Sequence, residues 1–186
     1  MSDEHCRSDE HCRSDEYGPV GQGGAGVIRI CFVCLGNICR SPTAEAVMAA
    51  LVDAEGLDDR IAVDSAGTSG WHVGEPPDPR STAEAARRGV TMRSTARTFQ
   101  AWDFDDFDLV VAMDGRNRAD LVDLAPDEAS VAKIHMLRDF DPDHDPGAPT
   151  PDVPDPYQGG PDGFTAVFDM VDAACRGLLA ELRPRL

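Results

Sequence analysis

Positive charge is scarce in this sequence. It has 17 Lys and Arg residues against 34 Asp and Glu residues among 186, so its formal net charge at pH 7 is −17. Proteins that bind nucleic acids or anionic membranes do so through basic patches, because these ligands are polyanions. We therefore expect neither nucleic acid nor a membrane surface as a partner.

Long apolar runs are also missing. No stretch reaches the roughly 18 to 20 apolar residues of a membrane-spanning helix, and the amino-terminal residues lack the basic and then apolar pattern of a secretory signal. These features predict a cytoplasmic protein in a reducing compartment, which keeps cysteines free. Hydrophobic residues still form 41% of the chain, which is enough for one globular domain with a core.

The first 26 residues differ in composition from the rest. The hexapeptide Ser-Asp-Glu-His-Cys-Arg occurs twice in tandem and is followed by Ser-Asp-Glu-Tyr and a glycine-rich stretch. Such a polar, repetitive segment predicts a disordered tail over residues 1–26, before a folded domain over residues 27–186. The tail offers His5, Cys6, His11 and Cys12 as zinc ligands, but adjacent His-Cys pairs lack the usual ligand spacing. No metal or other cofactor is expected.

Strand-like and helix-like segments alternate along the remaining chain. The predicted strands cover residues 27–33, 60–66, 107–113 and 131–137, and the predicted helices cover 42–54, 78–88, 115–121 and 162–182. Such alternation favours right-handed crossovers and a parallel sheet, with a ligand site beyond the carboxyl ends of the strands. A long loop rich in proline and aspartate, residues 139–161, is of the kind that carries function.

The first predicted strand runs into the segment Val-Cys-Leu-Gly-Asn-Ile-Cys-Arg-Ser-Pro, which places Cys34 six positions before Arg40. Ser41 is a good N-cap and Pro42 suits the first helical position, so a helix is expected to begin there. A loop before a helix can turn backbone N–H groups inward and form an anion site. With a thiol at its centre and a guanidinium at its rim, such a site could bind a phosphoryl group and attack it.

This loop and several later segments resemble the low molecular weight protein tyrosine phosphatases. The matching segments are the Cys34 loop, residues 65–71 and 74–80, Ala112-Met113-Asp114 with Asn117, Asp155-Pro156-Tyr157, and residues 164–182. The resemblance implies a three-layer α/β/α fold around a four-stranded parallel sheet of flavodoxin-like arrangement. It also implies hydrolysis of phosphotyrosine in proteins, and of small aryl phosphates, through a cysteinyl-phosphate intermediate.

The same resemblance implies roles for individual residues. Cys34 would be the nucleophile, Arg40 would hold two phosphoryl oxygens, and Asp155 would be the general acid. Trp71 and Tyr157 would wall a slot for the phenyl ring. The loop residues expected to bind substrate are Leu35, Gly36, Asn37, Ile38 and Cys39, and those expected to brace the loop are Ser41 and Ser65.

The remaining cysteines have separate expectations, and two positions depart from the family pattern. Cys39 is either a redox partner that forms a disulfide with Cys34 or a small packed residue, and both alternatives stay open. Cys31 and Cys175 are expected in the core. A histidine is common in the family at the position of Arg88, and a second aromatic residue at that of Gln158. The expected partners are phosphotyrosine proteins and phosphate or other oxyanion inhibitors, and the expected state is a monomer or weak dimer.

Three alternatives compete with this interpretation. Thioredoxin-coupled arsenate reductases have a similar fold and loop, but they need further relay cysteines, and none lies between Cys39 and Cys175. Protein-arginine phosphatases of the same scaffold tend to have threonine at the position of Ile38. A non-catalytic phosphotyrosine-binding module would not need both Cys34 and Asp155.

Overall fold

The computed structural model describes residues 26–186. Its strands are β1 (Ile28–Cys34), β2 (Ile61–Gly67), β3 (Leu109–Ala112) and β4 (Ile134–Met136). Its helices are α1 (Arg40–Ala54), α2 (Pro79–Arg87), α3 (Asp103–Asp106), α4 (Gly115–Leu124), α5 (Glu128–Val131) and α6 (Pro161–Leu182), with 3₁₀ turns at Leu137–Phe140 and Arg183–Arg185. The predicted tail, with its tandem hexapeptides and its four His and Cys residues, lies outside the described residues.

The four strands form one parallel sheet in the order β2-β1-β3-β4. β1 lies in the interior of the sheet, where Val33 pairs with Ala66 of β2 and with Ala112 of β3. All strands therefore end at the same edge, and the loops after β1, β2 and β3 meet there. This strand order is that of flavodoxin-like sheets, so the predicted fold class is confirmed.

Alternate side chains of β1 enter two separate cores. Ile30 and Phe32 pack in a cluster with residues of α1 and α6, whereas Cys31 and Val33 pack in a second cluster with residues of α3 and α4. A strand imposes this period of two because successive side chains point to opposite faces. The sheet is thus covered on both faces, which gives the predicted three layers.

The longest helix, α6, was predicted almost to the residue. Its fully buried side chains recur at helical spacing: Val171, Ala174, Cys175 and Leu178 are all 0% exposed. Cys175 therefore lies in the core as predicted, and so does Cys31. None of the helices within residues 26–186 combines the length and the apolarity needed to cross a bilayer.

The predicted start of α1 was wrong by two residues. The helix begins at Arg40, and Cys39 occupies the N-cap position without a side-chain hydrogen bond to the helix. Ser41 is therefore not the cap, and Pro42 is not the first helical residue. The Ser41 hydroxyl is engaged instead in the loop described below, and the helix start brings Arg40 into the first turn.

Two short helices were not predicted, and one of them shortens a strand. The Asp127 side chain accepts a hydrogen bond from Ser130 N and caps α5. Because the chain is helical over Glu128–Val131, the predicted strand over residues 131–137 is reduced to Ile134–Met136. The other helix, α3, precedes β3 and carries Phe104 into the second core.

Candidate active site

The segment from Cys34 to Arg40 connects the end of β1 to the start of α1 at the carboxyl edge of the sheet, as predicted. Both end residues are only 3% exposed. Asn37 N donates a hydrogen bond to Cys34 Sγ at 3.3 Å, and Ser41 Oγ lies 3.1 Å from the same sulfur. Hydrogen-bond donors at these positions stabilise negative charge on the sulfur, as a nucleophilic thiolate requires.

Asn37 holds the loop in an unusual backbone conformation. Its φ of 55° makes it the one non-glycine residue with a positive φ within residues 26–186, and asparagine tolerates this region better than most residues. Asn37 Nδ2 donates to Ser41 Oγ and to Ser65 Oγ, both at 2.9 Å, and Oδ1 accepts from Arg97 N at 2.9 Å. Every hydrogen-bonding group of this buried amide is therefore engaged.

The hydroxyl groups that surround Asn37 have defined roles. Because the Asn37 amide occupies an acceptor site of Ser41 Oγ, the single Ser41 proton is directed either to Ala66 O, at 3.2 Å, or to the Cys34 sulfur. Ser65 Oγ donates to Glu45 Oε2 at 2.5 Å. The predicted bracing residues Ser41 and Ser65 are thus both brought to the loop.

Glu45 completes the bracing network, and sequence reasoning missed it. It lies one turn along α1 from Ser41 and accepts the Ser65 hydrogen bond. Burial raises the pKa of Glu45, although the hydrogen bond from Ser65 opposes the shift. The spacing of Ser41 and Glu45 on one helix face was the signal that could have revealed this carboxyl group.

The loop also lies tightly against the end of β2. Thr68 N donates to Cys34 O at 2.8 Å, and Ser69 N donates to Leu35 O at 2.9 Å. A Cβ atom at Gly67 would lie only 2.8 Å from Leu35 O. Glycine is therefore required at this position, because any side chain would displace the loop.

Arg40 is held by groups from two other loops. Its Nη1 donates to Asp114 Oδ2 at 2.5 Å and to Val153 O at 3.1 Å, and its Nη2 donates to Asp155 Oδ2 at 3.1 Å. Burial alone would lower the pKa of Arg40, but the negative charges of Cys34, Asp155 and Asp114 outweigh it and raise the pKa. The guanidinium is therefore a permanent cation with a fixed orientation.

Asp114 was not among the predicted site residues. It lies two residues after the end of β3, and its Oδ1 accepts a hydrogen bond from Asn117 N, which caps α4. Its other oxygen holds Arg40. An aspartate one residue after the end of a predicted strand neighbouring Cys34 was the available signal, since adjacent parallel strands end at the same edge.

Asp155 lies on the loop that precedes α6, which we call the acid loop and define as residues 152–158. The Asp155 side chain is 45% exposed, pairs with Arg40 through Oδ2 and accepts a hydrogen bond from Tyr157 N through Oδ1. The start of the acid loop is tied to the end of β3 by the hydrogen bond from Val153 N to Met113 O, at 2.8 Å. The predicted nucleophile, arginine and acid thus meet at one place.

A cavity of about 340 Å³ opens above this constellation. It is lined by Cys34, Leu35, Gly36, Ile38, Cys39, Arg40, Trp71, His72, Asp155, Tyr157 and Gln158. Trp71 is 75% exposed, so it does not belong to the core, and Tyr157 is also exposed. Both line the cavity, and their contact with a phenyl ring stays a prediction.

His72 and Gln158 line the same cavity without having been predicted as walls. His72 Nδ1 lies 2.8 Å from Glu75 Oε2, and the imidazole centroid lies 6.3 Å from that of the Tyr157 ring. A Cβ atom at Gly36 would lie 3.0 Å from the His72 ring. The imidazole therefore covers part of the Cys34 loop.

Cys39 is a free, buried thiol that packs with Ile38, Ala96 and Phe164. Burial and the neighbouring charge of Asp78 raise the pKa of Cys39 to about 12. These contacts suit a packed residue, and a disulfide between Cys39 and Cys34 stays a prediction.

Arg88, one of the two departures from the family pattern, is not among the residues that line the cavity. It pairs with Glu84 of α2 and with Asp169 of α6, and its guanidinium carbon lies 5.1 Å from the centroid of the Phe168 ring. It therefore joins two helices.

The part of the chain that the structure describes contains no group of three or more His, Cys, Asp or Glu side chains that could hold a metal ion. The reactive groups that the site presents are a thiol, a guanidinium and a carboxyl group. Together they can bind an oxyanion, attack it and transfer a proton.

Known proteins are similar to this chain in sequence. A family model described as low molecular weight phosphotyrosine protein phosphatase matches residues 29–185. A low molecular weight protein-tyrosine-phosphatase from Streptomyces coelicolor is 50% identical over 158 residues, which cover 85% of this chain and 95% of that one.

Solved structures of phosphatases are also similar to this chain. A protein tyrosine phosphatase from Entamoeba histolytica, crystallised with Hepes in its active site, has a TM-score of 0.79 and 39% identity, over 84% of this chain and 97% of that one. A Drosophila arginine phosphatase has a TM-score of 0.76 and 32% identity, over 84% of this chain and 98% of that one. On the match of the family model and the identity to its relatives, this chain belongs to the low molecular weight phosphotyrosine protein phosphatase family.

Proposed function

We propose that this protein is a metal-independent phosphatase that removes the phosphoryl group from phosphotyrosine in proteins, and from small aryl phosphates, through a cysteinyl-phosphate intermediate. One constellation carries the proposal. The Cys34 sulfur has Asn37 N and the Ser41 hydroxyl beside it, and it lines the same cavity as Arg40 and Asp155. A thiol, an oriented cation and a carboxyl group are the three groups that phosphoryl transfer to sulfur requires.

In the first step the Cys34 thiolate attacks the phosphorus atom. The bond from sulfur to phosphorus forms as the bond from phosphorus to the tyrosine oxygen breaks, and Asp155 gives its proton to that oxygen. Without this proton the leaving group would be a phenolate, whose conjugate acid has a pKa of about 10. Arg40 binds two equatorial oxygens and stabilises the charge that spreads over them.

In the second step a water molecule attacks the phosphorus atom of the cysteinyl phosphate. Asp155, now ionised, accepts a proton from this water, and the bond between phosphorus and sulfur breaks. The products are inorganic phosphate and the Cys34 thiolate, and Asp155 is protonated again. The exposed position of the Asp155 carboxyl group supports this dual role, because it can exchange protons with solvent.

The walls of the cavity support an aromatic substrate. Trp71, Tyr157 and Ile38 present apolar surface beside Cys34, and a flat ring between two aromatic side chains gains stacking as well as burial. Inorganic phosphate and other tetrahedral oxyanions should occupy the Cys34 loop and compete with the substrate. We place the reaction in the cytoplasm, where reducing conditions keep Cys34 a free thiol.

Phosphoarginine is the second candidate substrate. A structurally similar protein is a Drosophila arginine phosphatase, so the scaffold alone does not decide between the two substrates. Ile38 favours phosphotyrosine, because its bulk at the cavity wall suits an aromatic ring better than a polar guanidinium.

The decisive experiment compares the wild type with Cys34→Ser in the presence of a chelator. The substrates are peptides that contain phosphotyrosine, phosphoserine or phosphoarginine, and inorganic arsenate. The wild type should release phosphate fastest from phosphotyrosine. Cys34→Ser should show no turnover but should still bind vanadate, because Arg40 and the loop amides remain. Cys175→Ala is the matched control, since it removes a core thiol remote from the cavity.

Full activity of Cys34→Ser would eliminate the cysteinyl-phosphate mechanism. Faster turnover of phosphoarginine than of phosphotyrosine would select the second candidate. Consumption of arsenate that depends on a thiol reductant would make the protein a reductase instead.

A further inference from the structure

Arg80, the second residue of α2, contacts the acid loop at a different residue from those that Arg40 contacts. Its Nη1 donates to Tyr157 O at 3.2 Å. Its Nε and Nη2 donate to the two oxygens of Asp78, at 3.0 and 2.8 Å. The Asp78 carboxylate thus holds the guanidinium in a bidentate geometry, which fixes the orientation of the remaining N–H groups toward Tyr157.

The same guanidinium also lies near two aromatic rings. Its central carbon is 5.5 Å from the centroid of the Tyr157 ring and 4.5 Å from that of Phe164, in the first turn of α6. A guanidinium is attracted to aromatic faces, and a lysine ammonium cannot combine such contacts with a bidentate pair to a carboxylate. Arg80 therefore contacts both the backbone and the side chain of Tyr157.

Asp78 connects Arg80 to the Cys34 loop. Asp78 N donates to Ile38 O at 2.7 Å, and the Asp78 side chain is mostly buried. The hydrogen bonds from Arg80 lower the pKa of Asp78, so this carboxylate stays ionised at neutral pH. A short path of hydrogen bonds thus runs from the Cys34 loop through Asp78 and Arg80 to the acid loop.

The position of this contact along the acid loop matters. The ties of Val153 and Asp152 to the end of β3 and the start of α4 all precede Asp155. Within residues 26–186, the hydrogen bond from Arg80 is the one that joins residues 156–160 to a distant part of the chain. Because Tyr157 N also bonds the Asp155 carboxyl group, holding residue 157 holds the turn that carries the acid.

We propose that Arg80 is a positioning residue that fixes the acid loop, and with it the Asp155 carboxyl group and the Tyr157 ring, relative to Cys34. The proposal rests on the phosphatase function proposed above. The proposal predicts unequal effects on the two parts of the first chemical step. Loss of Arg80 should impair proton donation to the leaving group more than attack by the thiolate, since the Cys34 loop keeps its own hydrogen bonds.

The test compares the wild type, Arg80→Ala and Arg80→Lys with Arg87→Ala as the matched control. Arg87 lies on the same helix, is 65% exposed and pairs with Glu84. The kinetic readout is kcat/KM for phenyl phosphate, whose leaving group needs a proton, and for p-nitrophenyl phosphate, whose leaving group needs it far less. The second readout, which needs no turnover, is amide hydrogen exchange of residues 152–160.

We expect Arg80→Ala to lower the ratio of kcat/KM for phenyl phosphate to that for p-nitrophenyl phosphate about tenfold, as misplacement of a catalytic group does. Arg80→Lys should fall between Arg80→Ala and the wild type, and it keeps the test usable if Arg80→Ala does not fold. Residues 155–159 should exchange faster in both Arg80 variants, and Arg87→Ala should match the wild type.

Equal losses on both substrates, or unchanged exchange of the acid loop, would overturn the positioning role. Absence of turnover in the wild type would instead refute the proposed function. The exchange measurement would then decide alone whether Arg80 anchors the loop.

Discussion

The loop from Cys34 to Ser41 is mostly buried and is held by many hydrogen bonds, whereas the acid loop lies mostly at the surface and is held at a few points. In the first, the Asn37 side chain makes three hydrogen bonds and the backbone is clamped against β2. In the second, Asp155 is nearly half exposed. One site thus joins a nucleophile built into the core to an acid carried on a peripheral loop.

This difference has a physical reason. The thiolate and the arginine must bind charge that develops at fixed positions, and preorganised dipoles do this best. The acid must reach leaving groups on substrates of different shape and must regain its proton from water. The two loops should therefore respond differently to mutation: changes in the first should affect both stability and rate, and changes in the second should affect rate alone.

The largest expected effect is that of Asp155→Asn, which should lower kcat strongly and leave the free energy of unfolding nearly unchanged. Asp155→Asn keeps the size and the oxygen that can accept from Tyr157 N but removes the proton donor. We expect kcat for phenyl phosphate to fall about 10²–10⁴-fold, with a smaller fall for p-nitrophenyl phosphate. The free energy of unfolding should change by less than about 1 kcal/mol, because the ion pair with Arg40 is partly exposed. Steady-state kinetics and urea denaturation measure the two effects. A large loss of stability would contradict the expectation that changes in the acid loop affect rate alone.

Asn37→Ala should affect both properties. The substitution removes the hydrogen bonds that Asn37 makes to Ser41, Ser65 and Arg97 N, and it places alanine at a positive φ. We expect a loss of roughly 2–4 kcal/mol in the free energy of unfolding and about a 10²-fold loss in kcat/KM. Asn37→Gly is the control, because it accommodates the backbone and removes only the amide. If it matched the wild type in both measurements, the amide would not brace the loop.

Ile38→Thr tests whether the buried loop also selects the substrate. The shorter, polar side chain should accept a guanidinium better, so the ratio of activity on phosphoarginine to that on phosphotyrosine should rise about tenfold, as expected for a change of roughly 1–2 kcal/mol at a pocket wall. Parallel assays of phosphate release measure this ratio. An unchanged ratio would show that Ile38 does not discriminate between the two substrates.

The smallest effect concerns pH. Burial raises the pKa of Glu45 in the folded protein, so the native state binds its proton more tightly than the unfolded state does. The stabilisation from this proton is complete below the unfolded pKa of about 4.3 and is lost as pH rises through the raised folded value. Glu45→Gln should therefore gain stability relative to the wild type as pH increases over this window. Urea denaturation at pH 4 and at pH 8 measures the gain, and a difference that does not depend on pH would contradict it.

The sheet and the position of Cys34 could be predicted because they depend on local patterns. Alternation of strands and helices defines a parallel sheet, and a parallel sheet places the Cys34 loop at its carboxyl edge. The start of α1 could not be predicted, because the Ser41 hydroxyl is used by Asn37 and the sulfur rather than by the helix. A tertiary contact overrode a local capping preference.

The partners of Arg40 and of the acid loop illustrate the same limit. Asp114 and Arg80 lie 74 and 77 positions from the groups they hold, and no periodicity connects residues at that separation. Asp155 itself was found through its resemblance to a family segment and not through spacing. Short-range patterns gave the framework, and long-range pairing of charges completed the site.

The two oxygens of Asp114 have a consequence for protein engineering. One accepts the hydrogen bond that caps α4, and the other orients Arg40. Through Asp114, only the first turn of α4 is therefore coupled to the position of the catalytic arginine. The exposed turn between α4 and α5, at Pro126 and Asp127, lies beyond that turn. New chain termini or an inserted sensor domain placed at this turn should leave the orientation of Arg40 unchanged. New termini placed between β3 and α4 should abolish turnover.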